Sequence, residues 1–90
     1  MEVDMTRVIE IRIDTNNIAK AQCDLLYLGD NLEKALKTAN REMDYWLLNG
    51  FSVVEISGWV YDVEYVVLRN KNKYYKIIVE DGVELTTFDV

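Results

Sequence analysis

Only one stretch of this chain spaces its apolar residues at intervals of three and four, and almost everything around it alternates with a period of two. Leu32, Ala35, Leu36, Ala39, Met43, Trp46 and Leu47 make one apolar stripe down a helix. A single amphipathic helix must bury that stripe against something, and in a chain otherwise built of strands that something is one face of a sheet. Asp30 followed by Glu33 matches the Asp form of a capping box at the helix start. Asn49-Gly50 supplies the left-handed residue that closes helices. Glu33 and Lys37 are placed for a favourable pair four residues apart.

Ahead of the helix, "RVIEIRID" (Arg7 to Asp14) sets Ile9, Ile11 and Ile13 on one face and Glu10, Arg12 and Asp14 on the other, as a half-buried strand does. "TNNIAKAQ" provides turn residues with room for a helical turn over Ile18 to Ala21, and "CDLLYL" (Cys23 to Leu28) reads as a second strand antiparallel to the first. After Gly50 come "FSVVEI", "WVYDVEYVVLR", "KYYKIIVE" and "VELTTF", separated by "SG", "NKN" and "DG". The sequence has no proline to break them. The expected fold is therefore α+β: ββα followed by an antiparallel β-meander, six strands at most, with one helix packed on one face of a mainly antiparallel sheet. Ninety residues suit one domain, residues 1–90.

Tight turns at Ser57-Gly58, Lys71-Asn72 and Asp81-Gly82, the last a strong type I′ signal, assign the two sheet faces. One carries Val54, Ile56, Trp59, Tyr61, Val63, Tyr65, Val67, Ile78, Val83 and Leu85, with Lys76 its awkward member, and is expected to be the core beneath the helix. The other carries Val53, Glu55, Val60, Asp62, Glu64, Val66, Leu68, Tyr75, Ile77, Val79, Glu84, Thr86 and Phe88, and is expected to face outward. This outer face is richer in apolar residues than a solvated surface, and such clusters mark interfaces. Parity is fragile, since a slip of one residue moves a whole strand's side chains across the sheet.

Chemistry is narrowed by what is missing. No His is present, which removes the commonest general base, the Ser-His-Asp and Cys-His arrangements, and His metal ligands. Four scattered glycines make neither a Walker loop nor a dinucleotide fingerprint. Cys23 is the only cysteine, so no internal disulfide or Cys-based zinc site arises within one chain. Asp62 and Glu64 lie about 6.5–7 Å apart along a strand, a spacing compatible with paired-carboxylate catalysis. A charged interaction surface is the simpler reading of them. The expectation is no catalytic residue, no metal and no cofactor.

Sixteen acids against ten bases give a net charge of -6, which disfavours direct binding to nucleic acid or to an anionic membrane. No run approaches the ~18 apolar residues of a membrane helix, and "MEVDMTRVIEI" breaks its apolar positions with charges, unlike a signal peptide. The expected location is the cytoplasm, or a host's cytoplasm if the protein is viral. The leading functional expectation is a non-catalytic module that docks on a protein with a basic surface through Glu55, Asp62, Glu64, Glu84, Tyr75 and Phe88. Carboxylates in a row can imitate a phosphate backbone, the principle used by phage-encoded DNA mimics and CRISPR inhibitors, although no motif places the chain among them. The alternatives are a homodimer through the apolar outer face, and a small ligand-binding domain using Trp46, Trp59 and tyrosines. Lys34, Lys37 and Arg41 read as a solvated helix face.

Overall fold

The computed structural model describes residues 2–58 and 65–86, with side chains over 5–58 and 65–82. Five strands and one long helix follow in the order β1 (Glu2–Asp14), β2 (Gln22–Gly29), α1 (Leu32–Leu48), β3 (Ser52–Ser57), β4 (Tyr65–Asn70) and β5 (Lys73–Thr86). A 3-10 turn, Ile18–Lys20, joins β1 to β2. All five described strands pair antiparallel in one sheet ordered β2-β1-β5-β4-β3. The fold is α+β, as the periodicity requires, and the N-terminal hairpin joins the meander through β1 against β5.

Helix α1 starts one residue later than the Asp30 box implies. Asn31, extended at φ -118°, is the N-cap, and its Oδ1 accepts from the Lys34 amide at 3.0 Å. The other end closes as expected. Gly50 sits at φ 91°, its amide donates to the Leu47 carbonyl at 3.4 Å, and the Phe51 amide donates to the Trp46 carbonyl at 3.0 Å. That pair of bonds is a Schellman closure, which needs a left-handed residue that glycine supplies without strain. It also delivers Phe51 onto Trp46, ring centroids 5.2 Å apart.

Two expected turns are not turns. Asp81-Gly82 lies inside β5, which continues through it against the equally long β1. Arg7 pairs with Glu80 and Met5 with Val83, so Thr6 faces two residues and the left-handed Gly82, φ 70°, absorbs a β-bulge. The Thr6 hydroxyl donates to Asp81 at 2.7 Å and fixes that bulge. The last two expected strands are therefore one. At Ser57-Gly58 the register shows a longer connection, because Ser57 pairs with Tyr65 and Ile56 with Val66. A two-residue turn there would have set Ile56 opposite Trp59. The offset between the two registers is an odd number of residues, which reverses the parity of β4 relative to β3. The turn at Lys71-Asn72 is as expected, with Asn70 opposite Lys73 and Lys71 at φ 56°.

The face assignment is consequently inverted for β4 and β5, while Ile56, opposite Val66, and Glu55, opposite Val67, keep the faces expected of them. The core is Val8, Ala35, Ala39, Phe51, Val66, Leu68, Ile77 and Val79, with Tyr75 packed against it, so Val66, Leu68, Tyr75, Ile77 and Val79 lie under the helix rather than outside it. Alanines at 35 and 39 let α1 approach the sheet closely, and Leu36, Met43 and Trp46 pack around them. Tyr65, Val67, Lys76 and Ile78 instead look out from the other face, which relieves the charge of Lys76 of any need to be buried. The helix lies over β2, β1 and β5 and reaches β4.

Candidate functional site

Because α1 covers one face only, the opposite face of the sheet is bare among the described residues. Strand pleating and register place Ile9, Ile11 and Ile13 from β1 beside Leu25 of β2 and Ile78 of β5, with Val67 and Tyr65 next in β4. Ile13 is 37% exposed and Leu25 59%. These are large values for branched aliphatics gathered in one place, and such gatherings mark contact surfaces. Charges frame the patch. Arg7 bridges Glu80 at 2.7 Å, the Lys76 ammonium sits 4.2 Å from the Tyr65 ring centre, and Arg69 lies over Tyr74 at 5.3 Å. Cations on aromatic faces are held by the ring quadrupole, so this rim is ordered as well as charged.

The molecule is polarised along its strands. Arg12, Lys73 and Arg69 come together at one end by pairing of Arg12 with Tyr75, Asp14 with Lys73 and Arg69 with Tyr74. Lys71 in the hairpin and Lys20 in the 3-10 turn join them. At the other end Asp4 is paired with Glu84 and Glu2 with Thr86, just beyond Asp81. The helix dipole runs in the matching sense, its N-terminus beside Asp30 and Glu33 and its C-terminus toward the basic end.

Under the helix lies a polar cluster that the sequence pattern placed on a solvated face. Glu10 is 2% exposed. The Trp46 indole N–H donates to Glu10 Oε1 at 2.5 Å and to Glu42 Oε2 at 3.2 Å. Burial, together with the hydrogen bond and charge of Glu42, pushes the Glu10 carboxyl up to about 7, against the opposing influence of the Trp46 N–H and the Arg12 charge. Trp46 also meets Tyr75 edge-on at 4.7 Å, and Tyr75 stacks on Phe51 at 4.6 Å. A carboxyl titrating near neutrality has the pKa a general acid or base needs. Glu10 nonetheless lines neither of the recesses at the basic end of the sheet, and buried structural pairs perturb carboxyls in the same way.

The expected site residues scatter. Glu55 is exposed on edge strand β3 and shares the bare face with Val67. Glu84 lies on β5 in register with Asp4. Tyr75 is half-buried in the aromatic cluster beneath α1, not on an outer patch. Asp62, Glu64 and Phe88 lie outside the described residues, as do Trp59, Val60, Tyr61 and Val63. Lys34, Lys37 and Arg41 are exposed on the helix, with Lys37 3.5 Å from Glu33. No described helix is long and apolar enough to cross a membrane. Comparison with protein-family models, with curated proteins and with solved structures gave no match.

Proposed function

We propose that the protein is a non-catalytic protein-binding module that works through the bare face of its sheet, and that the occupant of that face is a second copy of the chain. The observation that carries this reading is the aliphatic centre around Ile9, Ile11 and Ile78, half-buried in an isolated chain and left uncovered by the only long helix described. Charge chooses the occupant. Glu80 and Lys76 flank Ile78 symmetrically along β5, two residues to either side. A two-fold axis lying in the face, crossing β5 at Ile78 perpendicular to the strands, sets Glu80 of each copy over Lys76 of the other. The same axis lays the acidic end of one chain over the basic end of its mate. Such an interface is isologous and closed. The 44 × 31 Å outline of the chain has room for the ~800 Å² per partner of a stable interface.

Light scattering tests it. The expected mass is twice 10.5 kDa, and Ile78→Glu gives a monomer with an unchanged circular dichroism spectrum. A wild-type monomer at the highest soluble concentration, or a dimer that survives Ile78→Glu, defeats the proposal. A second reading is favoured by the pairing of Asp4 with Glu84 and by the net charge of -6. On it, the acidic end docks on a foreign protein with a basic surface, as an inhibitor occupying a nucleic-acid-binding groove would, through steering that weakens with salt. That version requires a salt-sensitive partner, identified by mass spectrometry, that Glu84→Lys no longer binds.

A further inference from the structure

The basic end of the sheet is more than a charge imbalance, because it is hollow. Arg12, Lys20, Gln22, Lys73 and Tyr75 line a recess of about 200 Å³ with Ile13 and Asp14 at its margin. Beside it, sharing Asp14 and Lys73, lies a second recess of about 320 Å³ walled by Asn16, Asn70, Lys71 and Asn72. Local backbone chemistry builds these walls. The Thr15 amide donates to the Asn72 carbonyl at 2.9 Å and its hydroxyl reaches the same oxygen at 3.2 Å, tying the β1–β2 connection to the β4–β5 hairpin. Asp14 is turned inward on its own loop, accepting from the Asn16 amide at 2.9 Å. Arg69 Nε donates to the Lys71 carbonyl at 3.0 Å and steadies the left-handed Lys71.

Four of the ten basic residues of an acidic chain therefore line one double recess: Arg12, Lys20, Lys71 and Lys73. The acids among them are Asp14 and Asp24, and Asp24 is already bridged to Arg12. The Arg12 side chain stays 30% exposed beside that bridge, and guanidinium N–H groups are the preferred partners of phosphate oxygens. The adjoining amides of Gln22, Asn16, Asn70 and Asn72 offer uncharged hydrogen bonds, which suit the polar remainder of an ester rather than a second charge.

We propose that this double recess binds a phosphorylated small molecule, its phosphate among Arg12, Lys20 and Lys73 and its polar body over the asparagine-lined recess. The two volumes together fall within the range of small-molecule sites, roughly 300–1,000 Å³. The site lies at the end of the strands and on the helix side of the sheet, so it does not depend on the dimer.

The test is an amide NMR titration of the full chain at constant ionic strength with sodium phosphate, glycerol 3-phosphate and sodium chloride. Saturable shifts at Lys20, Gln22, Asn72 and Lys73 are expected with the phosphate compounds and none with chloride. Tighter binding of the ester marks an organic phosphate as ligand, and equal binding marks the inorganic ion. Either result supports the site. Lys20 and Lys73 are exposed, so the Lys20→Ala/Lys73→Ala variant keeps the fold and should bind at least tenfold more weakly, a tenfold loss being about 1.4 kcal/mol. Arg12→Met should do the same. Shifts that chloride reproduces, shifts confined to the other end of the sheet, or unchanged affinity in the double variant would overturn the proposal.

Discussion

Replacing Glu10 by glutamine should make this protein more stable at pH 8 while leaving it little changed at pH 4. Glu10 is buried beneath α1, accepts from Trp46, and has a carboxyl raised from 4.5 to about 7, first by burial and then by Glu42. Between those two pH values the folded chain holds a proton that the unfolded chain has released. Stability from this group is therefore complete below about pH 4.5, falls by about 1.4 kcal/mol per unit as pH rises, and is gone above about 7. The full span is about 3 kcal/mol, a large share of the ~5–15 kcal/mol that holds a small domain folded. A glutamine in this place would keep both bonds of the cluster, its carbonyl accepting from Trp46 and its amide donating to Glu42, without a charge to desolvate.

The assay is urea unfolding followed by circular dichroism at pH 4, 5, 6, 7 and 8 for both proteins. Other carboxylates titrate over the same range, so the quantity to read is the stability of Glu10→Gln minus that of wild type at each pH. That difference should stay near zero up to about pH 4.5 and grow to about 3 kcal/mol by pH 8, equivalent to roughly 12–24 °C in melting temperature for a chain of this size. The groups that bear on the cluster are Glu42, Arg12 and, through its bridge to Arg12, Asp24. Glu42→Gln should flatten the wild-type slope by removing the nearest like charge. A difference that does not change with pH would show that Glu10 carries no perturbed proton and would refute the reasoning.

The inverted sheet can be tested by pairing neighbours in β4. Leu68→Ala, at a fully buried position, should cost about 2–5 kcal/mol, whereas Val67→Ala on the bare face should cost well under half as much by the same unfolding assay. Equal costs would return the helix to the other face. At the helix start, Asn31→Ala removes the acceptor for the Lys34 amide and should cost about 1 kcal/mol, while Asp30→Ala costs less; the reverse order would restore Asp30 as the cap.

How much of this was legible in the residues depended on whether a signal was local. The helix, its Gly50 closure and the Lys71-Asn72 hairpin follow from neighbours in sequence, and the structure has them. The register of β4 on β5 also came out right, so Tyr65, Val67, Lys76 and Ile78 do share a face. What sequence alone did not resolve was which of two apolar faces the helix would choose. That choice rests on long-range pairings: β1 beside β5, the bulge at Gly82 and the connection from Ser57 to Tyr65. Two features pointed the right way. Lys76 was out of place in the assumed core, and the set Leu68, Tyr75, Ile77 and Val79 was too apolar for a solvated face.

Glu10 shows why the polar cluster stayed hidden. In "RVIEIRID" strict alternation puts the isoleucines inward and the acid outward, and on the transfer of a bare carboxylate that reading is correct. The fold reverses it because Trp46, four residues after Glu42 on the helix, brings an N–H to the one place where a buried carboxyl can be satisfied. Burying Glu10 then leaves Ile9, Ile11 and Ile13 with no helix to cover them among the described residues. The bare aliphatic face and the raised carboxyl are thus two consequences of one choice of pleat. It follows that a chain with Glu10 replaced by leucine, which has no use for the Trp46 N–H, should retain the helix-side core yet lose the pH dependence. If covering the isoleucines is the work of a second copy, that variant should still dimerise.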